Sequence, residues 1–524
     1  MSAAEFGDHQ PVTQRLDNAP EPESSWSLLD DVLAMEPAAG ADSAVTRAPT
    51  MLERLMRADS FAESLRLYAE ASGKDLARTS LRQLARAINR DVAKIDRLLN
   101  GQVNAILHHP RFQKLEGSWR GLQFLASQVS DSAAVKIRVL DVSWKELVRD
   151  IDRSIEFDQN RLFKKIYSDE FGTPGGTPYS VLLGDYEIRP RPRPGQPMDD
   201  LDALQSISQV AAAAFSPFIA SAHPSLLGLD SFTELQRPMD LEAIIDQPEF
   251  VKWRRLRREA DSRFVGLVLP RVLMRRPYTQ AAEPHGFVFR EEVDTGGAPK
   301  NYLWGNAVYA FGAVLIRAFT QSGWLADIRG VRQDLDEGGI VTGLPTHSFG
   351  TDRAGVVTKT STEVAITDEQ ENDLAELGMM PLCDCRDTEY SAFYSNPSVQ
   401  KPELYDDPDV TKNAKISSML HYMLCVSRIA HYIKVIGREK VGSFMEAGDC
   451  EAFLNDWIQK YVTQDDDASP EVKARYPLRE AHVEVREHPG KPGTYACVVR
   501  MQPHYQLDDM STSINLTTEL APAS

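Results

Sequence analysis

Several short stretches of this chain carry residue types that could do chemistry. Adjacent His108 and His109 would point in different directions on a helix, which does not bring two imidazoles onto one metal. Cys383-Asp384-Cys385 is a C-x-C without a second Cys or His cluster at zinc spacing. Asp294-Thr295-Gly296 matches the aspartic-protease triplet, but it stands as a single copy in a polar loop, and a shared-proton dyad needs two. Gly437 and Gly442 lie at the Walker spacing without the Lys-Ser/Thr that would follow, and the glycine-rich turn Phe171–Pro178 precedes a strand instead of a helix N-terminus. No GxSxG, HExxH or strand-linked GxGxxG is present. The basic run Lys252–Arg258 (KWRRLRR) reads as a solvated face or as a patch for an acidic partner. These motifs predict no catalytic residue, no cofactor and no metal.

The elements that would position such groups can be read from periodicity. Leu81, Leu84, Ile88, Val92, Ile95 and Leu99 form one apolar stripe, which predicts a helix packed by that side and ended at Asn100-Gly101. Val135–Leu140 reads as a short strand, Trp144–Ile155 as a helix and Tyr302–Phe319 as a core helix. After the acidic break Asp406-Asp407-Pro408-Asp409 comes a predicted long helix, 411–438. On it Arg428, His431, Lys434 and Arg438 share one sector, a candidate contact surface or a set of snorkelling cations on a core helix. From 478 the period changes to two. Ala481, Val483 and Val485 alternate with polar residues, Tyr495, Cys497, Val499 and Met501 resume the pattern, and Ile514, Leu516 and Leu520 close it. The last of these strands is either the closing strand of the chain's own sheet or an arm added to a neighbour's sheet edge.

Composition bounds the rest. At 524 residues the chain has room for two or three domains, and 42% hydrophobic with 26% charged residues is ordinary for a globular protein. A formal net charge of −18 argues against general nucleic-acid binding. An odd count of 5 cysteines suggests free thiols in a reducing compartment. Met1–Gln10 shows neither a basic nor an apolar targeting pattern, and the apolar run 307–316 is too short to span a bilayer, so a cytoplasmic protein without membrane insertion is expected. Residues 1–50 read as a disordered segment, with an island at 26–35 that places Trp26, Leu28, Leu29, Val32 and Leu33 at helical spacing, either docked on the chain's own body or offered to a partner.

Longer strings then point to one family. ILHHPRFQKLEGSWRGL (106–122), FDQNRLFKKIYSDEFGTPGGTPYSVLLGDY (157–186), DSRFVGLVLPR (261–271), YLWGNAVYAF (302–311), VQKPELYDDPD (399–409) and RIAHYIKVIGREKVGSFM (428–445) resemble the large subunit of the type VI secretion contractile sheath, the TssC/VipB family, over roughly 98–520. Residues 40–97 match poorly, and Cys383–Cys385 with the Arg/Pro loop 189–194 look like departures of this member.

The resemblance implies a mixed α/β, contractile-tail-sheath-like fold. Its parts would be the segment 1–50, a helical region 51–130, a central α/β sheath domain 131–405, and a C-terminal domain 406–524 with the long helix and a strand-exchange arm at 481–520. It further implies pairing with a small TssB/VipA-like subunit, self-assembly around an Hcp-type inner tube on a baseplate, and recycling by a ClpV-type AAA+ ATPase that touches either subunit. On that basis the island at 26–35 is expected to dock the small subunit. Arg428, His431, Lys434 and Arg438 are expected to face the tube, and Ile514, Leu516 and Leu520 to be exchanged. The competing expectations are a stand-alone cytoplasmic adaptor or scaffold, or an enzyme with an unrecognised site in the central region.

Overall fold

The computed structural model describes residues 51–73, 80–129, 135–192, 199–279, 287–294, 300–331, 337–350, 357–385, 388–441, 447–465, 467–487, 495–504 and 514–520. The candidate docking island at 26–35 lies outside them. The chain divides into a small unit up to Val92 and a large unit from Ala93. In the small unit, helix α1 (Phe61–Ser72) starts where the Ser60 hydroxyl accepts from the Glu63 N–H, and it ends at Gly73 with φ 62. That left-handed turn suits glycine.

Helix α2 (Leu81–Leu107) runs from the small unit into the large one, and α3 (Pro110–Gln128) follows. The turn between them gives each histidine a separate task. His109 caps α3 by accepting from the Arg111 N–H, and His108 Nε2 lies 3.3 Å from Glu291. Helix α4 (Trp144–Arg153) opens on a Ser143/Glu146 capping box, and α5 (Asp200–Ala213) follows the first strand.

The core is a six-stranded sheet. Strands β1 (Leu182–Ile188), β2 (Phe218–Ala222), β3 (Val265–Leu269), β4 (Ile340–Val341), β5 (Met380–Asp384) and β6 (Ser391–Phe393) lie in the order β1-β2-β3-β5-β6-β4. The first four in that order run parallel, and β6 and β4 close the sheet antiparallel. Alternation sends side chains to opposite faces. Phe218, Ala220, Val265, Leu267 and Leu269 pack with α4 and α5, while Ile219, Val268, Met380 and Leu382 pack under helix α6 (Val308–Ser322). Strands buried on both faces read as near-continuous apolar runs, as in Phe264–Leu269.

The predicted continuous helix after Asp409 is two helices, α8 (Pro408–Ser417) and α9 (Leu420–Val441), following the short α7 (Asp368–Glu376). The break has a local cause. The extended segment 396–398 passes alongside, Ser398 N–H donates to the Ser418 carbonyl, and Leu420 N–H donates to the Asn396 carbonyl. Those bonds take backbone groups that a continuous helix would have used. Val135–Leu140, expected as a strand, is extended chain with no ladder partner among the described residues, and it leaves Ile137, Val139 and Leu140 exposed.

Helix α10 (Ala447–Ile458) packs on a three-stranded antiparallel sheet of β7 (Leu478–Glu487), β8 (Tyr495–Pro503) and β9 (Ile514–Leu520), with β8 in the middle. Its core joins Leu454 and Ile458 to Val483, Cys497, Val499 and Met501. Among the described residues no helix is long and apolar enough to cross a membrane.

Helix α3 reaches α6 because glycines let the backbones close in. A Cβ on Gly121 would overlap the Tyr309 ring, and one on Gly312 would sit 2.7 Å from Leu183. Gly121→Ala should therefore force the ring aside and destabilise the protein by about 1–3 kcal/mol, read as a lowered melting temperature. An unchanged melting temperature would contradict this packing.

Candidate assembly surfaces

The basic sector of α9 is real, but it turns inward. His431 is 2% exposed. Burial pushes its pKa down to about 4, so the neutral ring donates from Nε2 to the Ala214 carbonyl at 2.8 Å. Lys434 Nζ bonds the Tyr167 hydroxyl at 2.9 Å and lies 3.7 Å from the Phe171 ring centre. Arg438 donates to the Phe171 and Thr173 carbonyls at 3.1 and 2.9 Å. Arg428 stacks over Tyr432 and Phe319. Tyr167 and Phe171 belong to a π-helical turn, Lys164–Phe171, and like any helix end it leaves terminal carbonyls to be met from outside. Of the stripe expected to meet an inner tube, Lys434 and Arg438 are thus engaged with the chain's own π-turn segment, Arg428 lies against Tyr432 and Phe319, and His431 has no surface left for a partner.

Lys252–Arg258 is also largely spent internally. Lys252 bonds Asp199 and Asp202, Arg254 donates to the Ile245 and Gln247 carbonyls, and Arg257 donates to the Val399 and Glu376 carbonyls.

The carboxyl ends of parallel strands are where α/β sheets place reactive groups. Here Arg271, just after β3, makes a two-pronged bond to Glu187 at 2.6 and 3.1 Å and approaches Glu363 at 3.5 Å. Burial works to raise the Glu187 pKa, yet the Arg271 bonds hold it below the usual carboxylate range; Glu363 is raised by burial. The two carboxyl groups thus share one guanidinium. Cys383 is buried, and Cys385 Sγ lies 3.5 Å from the Tyr394 hydroxyl. Among the described residues, no group of three or more His, Cys, Asp or Glu is placed to hold a metal.

Surfaces suited to partners lie elsewhere. The α2 stripe expected to pack inward buries Leu84 but leaves Leu81, Val92, Ile95 and Leu99 exposed; Leu98 and Ile106 of the same helix are exposed too, and α3 adds Leu115 and Trp119. Leu98 at 75% and Trp119 at 65% exposure are large apolar groups facing water. An amphipathic helix has the same pattern whether it is covered by its own chain or by another. A surface of this kind marks an interaction site.

The C-terminal sheet has two unlike edges. Along β7, helix α10 covers the backbone with side chains: Asn455 bonds both the N–H and the C=O of Val483, Gln459 donates to the Ala481 carbonyl, and Glu451 accepts from the Val485 N–H. This is edge protection by side chains, which blocks further pairing. The opposite edge is β9, the last strand. It pairs with β8 in the chain itself, Ile514 opposite Met501, Leu516 opposite Val499 and Leu520 opposite Tyr495, and among the described residues nothing pairs with its outer side. In this chain the strand therefore closes its own sheet and ends it.

A tail-sheath N-terminal domain model (EvpB/VC_A0108) matches residues 89–400, and a tail-sheath gpW/gp25-like domain model of the same family matches 409–520. A curated relative from Pseudomonas aeruginosa, named "Type VI secretion system sheath protein TssC1", is 40% identical over 472 residues, covering 88% of this chain and 93% of its own length.

Asn455→Ala should leave the Val483 N–H and C=O unpaired, a cost of about 1–3 kcal/mol. Hydrogen exchange at Val483 and Val485 should accelerate while the six-stranded sheet stays protected. Equal protection in the variant would mean that α10 does not cover that edge.

Proposed function

The chain belongs to the VipB/EvpB tail-sheath family and is a subunit of a type VI secretion contractile sheath, and from that premise we propose that it works mechanically, in the cytoplasm, as the large partner of a small TssB/VipA-like subunit. The pair polymerises on a baseplate around an Hcp-type tube and contracts to drive the tube outward. A ClpV-type ATPase then recycles the contracted form. No step of this cycle requires a catalytic group on this chain. Its contribution is a free-energy difference between two packings of the same polymer, small per subunit and summed along the sheath.

The observation that carries this reading is the asymmetry of the C-terminal sheet, closed along β7 and open along the chain's last strand. A terminal edge strand is the cheapest element to exchange, because moving it to a neighbour trades one set of backbone bonds for an equivalent set. We assign the exchange to Ile514, Leu516 and Leu520 and their register on β8. The exposed apolar side of α2 and α3 is the surface assigned to the small subunit, together with Trp26, Leu28, Leu29, Val32 and Leu33. The domain division at 130 and 405 is retained as part of this proposal.

Co-expression with the small subunit should give hollow tubular particles in electron micrographs. Removing residues 511–524 should leave a folded, co-purifying pair that forms no tubules. Normal tubules from the truncated chain would end the exchanged-strand assignment, and persistent monomers of the full chain would end the polymer reading. A second variant isolates the helical surface. Leu98→Asp with Trp119→Ser should abolish co-purification of the small subunit while leaving stability within about 0.5 kcal/mol of the parent, as expected at exposed positions.

A further inference from the structure

A cavity of about 440 Å³ lies between the loop after α6, the start of α9 and the segment 470–477. Arg329 and Tyr394 line it from the part of the chain matched by the N-terminal sheath model, and His421, Tyr422 and Lys473 line it from the part matched by the C-terminal one. Volumes of this order hold small ligands.

Two of its lining groups lack what buried polar groups ordinarily have. Arg329 is mostly shielded from water, and burial pulls its pKa below the usual guanidinium value. Yet among the described residues its side chain makes no hydrogen bond and no ion pair. Several other shielded arginines are paired. Arg257 bonds two carbonyls, and Arg271 and Arg275 each bond two carboxylates. His421 is 2% exposed, and neither Nδ1 nor Nε2 has a hydrogen-bond partner among the described residues. Burial first, and the nearby Arg329 charge second, hold its pKa well below the usual histidine value. The imidazole is therefore neutral, with one N–H to donate and one bare nitrogen to accept. His421 is the costly one, a buried ring with both nitrogens unpaired, and beside it the half-buried Arg329 charge has no partner among the described residues to meet it, so the cavity favours whatever can pair with both.

We infer that this cavity is a binding site for a small oxyanion, of phosphate or carboxylate type, held by Arg329 with Lys473 and His421 around it. The guanidinium fork matches two oxygens of either group, the geometry for which arginine is better suited than lysine. Asp327 is the acid on the wall. A bound anion would contact both family-matched parts of the chain and so stabilise their joint packing without taking part in sheath pairing.

The test uses the full-length protein. Its melting temperature is followed against added inorganic phosphate or citrate, with sodium chloride keeping the ionic strength constant. Binding to the folded form should raise the melting temperature with saturation, on top of the linear salting-in or salting-out effect of these anions. Arg329→Gln should remove the saturable part and leave the linear part, and phosphate binding followed by ³¹P line broadening should weaken roughly tenfold or more. Arg329→Lys, which keeps the charge, should retain weaker saturable binding and serves if the Gln variant fails to fold. Arg149→Gln, an exposed arginine away from the cavity, should behave as the parent. Saturation with phosphate alone or with citrate alone identifies the ligand type. Saturation with neither, or an identical saturable response in Arg329→Gln, overturns the site.

Discussion

One helix is buried by every layer it touches, and the rest of the large unit depends on that. Met423 of α9 joins the core beneath α4 and α5, Leu420 and Leu424 join the one beneath α6, and Val426, Ile429 and Ile433 join the core of the C-terminal sheet. A helix covered on most sides leaves its cations only a narrow, partly exposed sector. Lys434 and Arg438 therefore run their charged ends to the π-turn 164–171 and satisfy its carbonyls and aromatic faces, while His431 survives as a neutral donor. Packing comes first, and the electrostatics conform to it. The same helix begins against the cavity at His421 and ends beside the glycine-rich turn after Phe171, so a shift of α9 would be felt in both places.

The central sheet has the architecture of many enzymes, with parallel strands and a polar cluster at their carboxyl ends. At those ends Arg271 is bonded to Glu187 and lies 3.5 Å from Glu363, so the cluster ties together three segments that are far apart in the chain. Under the mechanical role proposed above, such a cluster would stiffen the body that passes load between neighbours.

Much of the fold was legible from one sequence, and the failures share a cause. Alternation over 478–520 located three strands because a period of two fits extended chain and does not fit a helix, and the resemblance strings carried the family. What could not be read was whatever lies opposite an element. The α2 stripe looked like a core face because the spacing is the same whether or not the chain itself covers that side. The α9 cations read either as a contact surface or as snorkelling cations on a core helix, and a helical wheel could not choose because it does not show the π-turn beside it. The break at Ser418 arises from a segment at 396–398 that periodicity treats as unrelated. Arg329 and His421 are far apart in the chain, and only folding brings them to one cavity.

The unlike edges of the C-terminal sheet have a consequence for symmetry. A two-fold pairing joins the same edge of both copies, and with β7 sealed by Asn455, Gln459 and Glu451 its β7-to-β7 form is blocked. Under the exchange proposed above, a last strand given to the place beside a neighbour's β8 would join unlike surfaces, and a head-to-tail bond does not close unless its rotation happens to make a ring. The three side chains that seal β7 thus leave the β9 side as the one along which this sheet can be extended.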